Sequence, residues 1–148
     1  MKILNFELSL PYHCIELRGL DFVWDLHNAG AFLALTFNTS DNTASMKWRV
    51  SGAPSTTFAG CELSFVGLKL LIISARDEDL PYSEDLTISG ISKVTPGSAE
   101  KWEYRVRREW NSSDPFHLLF QCQSQRSIEV DAHTVELMIG WAVLDLQR

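Results

Sequence analysis

A chain of 148 residues with 45% apolar and 22% charged side chains has the length of one domain and the composition of a folded one, too rich in Phe, Trp, Leu and Ile for a disordered segment. Its formal charge of -6 opposes the wrapping of a nucleic-acid backbone, which calls for a field of Lys and Arg, so no nucleic-acid partner is expected. No apolar run reaches the ~18 residues of a membrane-spanning helix, since Lys69 interrupts the greasiest stretch, Gly67 to Ala75, so no membrane association is expected either.

Met1 to Glu7 carry one basic residue but no unbroken apolar stretch and no small-residue cleavage site, which predicts a cytoplasmic protein. Leu20, Phe22, Trp24 and Leu26 then alternate with Asp21, Val23 and Asp25, the pattern of a strand with one face in a core. Leu33 to Phe37 is apolar on both faces, as in a central strand covered on each side. The cleanest alternation sets Met46, Trp48 and Val50 against Ser45, Lys47 and Arg49. Leu68 to Ile73 is again apolar on both faces.

Trp102, Tyr104 and Val106 alternate with Glu103, Arg105 and Arg107, which favours a strand, although Trp102, Val106 and Trp110 also recur at helical spacing behind a Ser98 cap. Phe116, Leu118, Phe120 and Cys122 alternate with His117, Leu119, Gln121 and Gln123, and Met138 to Leu144 closes the series as another two-sided apolar stretch. Turn signals at His27 to Gly30, Ser51 to Ser55, Thr95 to Ser98 and Asn111 to Pro115 separate these segments. With no repeat and no composition break, residues 1–148 form a single mainly β domain, an antiparallel β-sandwich or partly open barrel with little helix. Cys14, Cys61 and Cys122 are odd in number, far apart and set among strand-like neighbours, so they are expected to be small buried thiols rather than a disulfide or zinc site.

The densest charge feature runs from Arg76 to Asp85 and holds five carboxylates around Leu80-Pro81-Tyr82-Ser83. Like charges this close repel by ~1 kcal/mol per pair in water, so they require solvent, a cation or a basic partner. The spacing lacks the twelve-residue pattern and the glycine of a helix-loop-helix calcium site, and no metal or other cofactor is assigned. Pro81 stiffens the loop and Tyr82 supplies an aromatic anchor, which makes Asp77, Glu78, Asp79, Tyr82, Glu84 and Asp85 the expected partner-binding surface. The simpler alternative is a solvated loop that protects strand edges.

Glu129, Asp131 and His133 alternate with Ile128, Val130 and Ala132 and form the one acid-acid-His row, expected to be the wet face of a strand. His13, His27 and His117 are isolated, and no catalytic residue is assigned. Lys101, Arg105, Arg107 and Arg108 are the one basic concentration, able to receive the acidic loop within the chain or between chains. Trp24, Trp48, Trp102 and Trp141 are expected to point inwards and Trp110 outwards.

These features predict a non-enzymatic protein-interaction module that binds a basic protein surface, an inhibitor or immunity-type protein by analogy of size and acidity alone. The alternatives are a small-molecule or carbohydrate-binding β domain with a pocket lined by Trp24, Trp48 or Trp102, and a metal-dependent enzyme built on Glu129, Asp131 and His133. Oligomeric state is not legible in the residues.

Overall fold

The computed structural model describes residues 1–9, 14–19, 23–50, 60–97, 105, 107 and 109–140. Within them run β1 (Lys2–Leu4), β2 (Phe6–Leu8), β3 (Glu16–Gly19), β4 (Val23–Asp25), β5 (Gly30–Asn38), β6 (Thr43–Val50), β7 (Gly60–Ile73), β8 (Ile88–Val94), β9 (His117–Cys122) and β10 (Ser127–Ile139), with a 3-10 turn at Tyr82–Leu86. Strand makes up 61% of the described residues and helix almost none of them, and the architecture is a curled antiparallel sheet forming a half-barrel, with a small second sheet. No helix among the described residues is long and apolar enough to cross a membrane.

The large sheet is ordered β5-β6-β7-β10-β9-β8, and the small one β2-β3-β4. Its spine is the antiparallel pair β7 and β10, in register from Ile128 opposite Ile73 to Ile139 opposite Cys61. Because β7 occupies one edge of β10 along this length, two strands divide the other: β9 pairs with Ser127 to Val130, and β1 runs parallel to Thr134 to Glu136. Register shifts between Phe32 and Ala34, between Ile88 and Gly90, and between Asp131 and Ala132 interrupt the ladders. Such irregularities bend a strand and increase its twist, which is how a sheet of this width curls.

The concave side holds the core. Trp48, Phe65 and Phe120 are fully buried at its centre, with ring centroids 6.1 Å apart for Trp48 and Phe120 and 6.3 Å for the edge-on pair Phe65 and Phe120. Met46, Leu63, Leu118, Ile128 and Val130 join them in one cluster, and so do Phe6, Leu17 and Trp24 of the small sheet and Leu26 just after β4. Backbone bonds between Cys14 and Ile91 tie the approach to β3 to the edge of β8. The alternation at Met46 and Trp48 and at Leu118, Phe120 and Cys122 is thus met by burial.

Several expectations change. Leu33 to Phe37 lies in β5, the last strand of the sheet and not a central one, and Phe37 is exposed. Leu68 and Leu71 pack on the core, but Ile72 and Ile73, at the end of β7, are exposed. Met138 faces outwards and β10 ends at Ile139. Arg105 has helical backbone where alternation had favoured strand. The expectations for His13, Leu20, Asp21, Phe22, Ser51 to Ser55, Ser98, Lys101, Trp102, Glu103, Tyr104, Val106, Arg108 and Trp141 to Leu144 lie outside the described residues.

Candidate functional site

The acidic segment leaves the end of β7, turns through residues 77–80 and enters the 3-10 turn before β8. It is fastened to the turn between β9 and β10: Asp77 N donates to Ser124 O, Ser124 N to Glu84 O, and the Gln125 side chain to Asp77 Oδ2 at 3.3 Å. Asp85 is largely buried between two guanidinium groups, 3.4 Å from Arg76 Nε and 3.5 Å from Arg126 Nη1. Arg76 also donates to Leu80 O at 2.6 Å and lies 4.3 Å from the centroid of the Tyr82 ring. One arginine therefore holds the carboxylate, the turn and the aromatic ring together.

The outer surface of this segment is different. Tyr82 is 79% exposed, and Glu78, Asp79 and Pro81 are exposed beside it. An open depression of about 690 Å³ is lined by Arg76, Glu78, Asp79, Leu80, Pro81 and Tyr82. Among the described residues Asp77, Glu78, Asp79 and Glu84 have no ion-pair partner, whereas Asp85 has two. Among the described residues the cations that meet the segment are Arg76 and Arg126. Of the basic concentration, Arg105 turns to Glu129 and Arg107 lies 3.7 Å from Asp114.

The acid-acid-His row takes another form than the sequence suggested. Glu129 is 7% exposed and receives both terminal nitrogens of Arg105, itself 5% exposed, while Arg105 Nε donates to Thr95 O at 2.7 Å. His117 Nδ1 stands 2.6 Å from Glu129 Oε1, and its Nε2 lies 3.6 Å from Asp131 Oδ2. The expected wet face is instead a buried ion network at Glu129, because Arg105, distant in sequence, bonds to that carboxylate and β9 sets His117 beside β10. His133 is exposed and lies over Gly67, apart from this network.

Burial alone would raise the Glu129 carboxyl, but hydrogen bonds and charge from Arg105 and His117 outweigh it and hold the group below its ordinary range. Arg105 commits Nε to Thr95 O and both terminal nitrogens to Glu129, which ties that carboxylate into the fold. Among the described residues no three His, Cys, Asp or Glu side chains are placed to hold a metal ion. Cys14, Cys61 and Cys122 are buried, and desolvation pushes Cys61 up to about 12 and Cys122 up to about 11.

Of the tryptophans named for a ligand pocket, Trp24 and Trp48 are buried in the core. A separate cleft of about 370 Å³ is lined by Ile3, Phe6, Glu7, Leu8, Lys93 and Trp110. Trp110 is half-buried there and meets Phe116 edge-on at 5.8 Å. Sequence spacing had no means of joining β1, β2 and the end of β8 around it. Comparison with protein-family models, characterised proteins and solved structures finds no match to the chain.

Proposed function

We propose that this chain is a non-enzymatic interaction module whose ledge at residues 76–86 docks a basic surface of another protein, as an inhibitor or immunity-type neutraliser would. The observation that carries the reading is a division of labour inside the ledge. Asp85 is ion-paired with Arg76 and Arg126, and Arg76 holds the backbone at Leu80 O, which leaves Tyr82 outward beside Glu78 and Asp79. A ring held by a neighbouring guanidinium loses little freedom on docking, and tyrosine is among the residues that dominate interface energy. Unpaired carboxylates around it draw a basic partner by long-range attraction that salt weakens.

The test is affinity capture from the native host at low and moderate salt, with wild type, a Glu78→Lys/Asp79→Lys variant and Tyr82→Ala. Wild type is expected to retain a basic protein that both variants lose, with melting temperatures within a few degrees of wild type because the altered side chains are exposed. Retention of the same partner by all three proteins rejects the ledge as the docking surface. Asp85→Asn serves as the contrasting control, since it removes an in-chain contact and lowers stability.

A further inference from the structure

The cleft beside β1 and β2 is assembled from apolar walls and one cation whose own solvation has been reduced. Lys93 pairs across the sheet with Leu118, a core residue, so its side chain leaves β8 on the concave side. There its ammonium lies 4.7 Å from the centroid of the Phe116 ring, and Cys14 is its other electrostatic neighbour. Among the described residues no carboxylate lies within ion-pair distance of it, although Glu7, exposed, stands on the same cleft wall. Desolvation lowers the Lys93 amine from its ordinary range, and Cys14 offsets this only in part.

The remaining walls suit a flat apolar body. Ile3 and Leu8 are half-buried, Phe6 is buried, and Trp110 presents its indole with its N–H already donated to Arg107 O at 3.1 Å. A volume of about 370 Å³ falls within the size of small-molecule sites, which combine apolar walls with a few polar groups that fix orientation. We propose that this cleft binds a small monocarboxylate with an aromatic body, its ring against Trp110 and its carboxylate on Lys93. Binding gives the ammonium a counter-charge at ion-pair distance, which none of the described residues supplies, and Glu7 at the wall disfavours molecules with a second negative charge. The site is independent of the ledge, and either proposal stands if the other fails.

The experiment titrates the full chain with phenylacetate and indole-3-acetate, each compared with its uncharged amide. Binding is measured by calorimetry, and the Trp110 indole N–H resonance, assigned with Trp110→Phe, reports location. The acids are expected to bind and move that resonance, with the amides weaker by about ten-fold or more, the scale of one charge-assisted hydrogen bond. Lys93→Met should erase the preference for acid over amide, and Trp110→Ala should weaken both. Absence of binding by both acids, equal binding of acid and amide, or binding without movement of the Trp110 resonance overturns the proposal. Should Lys93→Met fail to fold, the wild-type comparison of acid with amide, read at Trp110, decides alone.

Discussion

At the scale of single residues, Glu129 shows how much a neighbourhood changes what a carboxylate does. Its alternation with Ile128 and Val130 places it opposite the core, where the chain alone suggests water. The structure instead surrounds it with Arg105 and His117. Removing one member of a buried pair leaves the other charge without compensation, at a cost of about 3–5 kcal/mol. Glu129→Gln is accordingly expected to lower unfolding free energy by that order, measured from denaturant midpoints at neutral pH. The pH dependence follows from the depressed carboxyl. Its stabilising contribution is fully present above the unfolded glutamate range, near ~4.3, and is lost as pH falls from there through the lower folded value. Glu129→Gln should flatten that part of the acid limb of the stability curve, and an unchanged limb would place the acid sensitivity elsewhere.

Lys93 and Trp110 carry a related lesson. A lysine in a strand and a tryptophan in a polar loop are ordinary features of a sequence, and Trp110, expected to point outwards, is half-buried against Phe116. That the two line one cleft depends on β8 ending where β1 and β2 begin to cover the half-barrel.

At the scale of elements, β7 and β10 decide the shape. Along β10 the buried set runs Ile128, Val130 and Ala132, then Val135 and Leu137, so the inward alternation changes phase across His133 and Thr134. On the facing strand Gly67 takes φ +67, and a Cβ built there would stand 2.3 Å from His133 Cδ2. Both facts call for glycine: L-residues pay about 1–2 kcal/mol for the left-handed region, and the imidazole fills the space. Gly67→Ala should therefore destabilise by at least that amount in thermal or denaturant unfolding. Combining it with His133→Ala should recover the steric part and leave the conformational part, a non-additivity that a double-mutant cycle reads directly. Strict additivity would show that the ring and the glycine are not coupled.

Strand identity was largely readable from period-two patterns such as Met46 and Trp48 or Leu118 and Phe120. Strand position was not. Leu33 to Phe37 looks like the middle of a sheet because its residues are apolar on both faces, yet β5 is terminal, since apolarity reports a local tendency and neighbours are assigned by pairing across the chain.

At the scale of the whole molecule, Cys14, Cys61 and Cys122 enter one core cluster from the approach to β3, from β7 and from β9. Burial raises the Cys61 and Cys122 thiols far above neutral pH, and thiolate is the reactive form. All three are expected to resist a thiol reagent in the native protein and to become reactive at one denaturant concentration, counted as labelled thiols per chain by mass. Earlier labelling of Cys14 alone would show that the covering segment opens before the half-barrel.

The residues in their order determined a mainly β chain, inward aromatic and thiol side chains, and an acidic connector too crowded with charge to be buried whole. These follow from side-chain polarity and a two-residue repeat, which act over short stretches. Tertiary structure alone decided which carboxylate of the connector is neutralised, that Glu129 is latched by Arg105, and that Lys93 shares a cleft with Trp110. Each depends on register and curvature, and those are chosen by the summed burial of strands distant in sequence rather than by any segment alone.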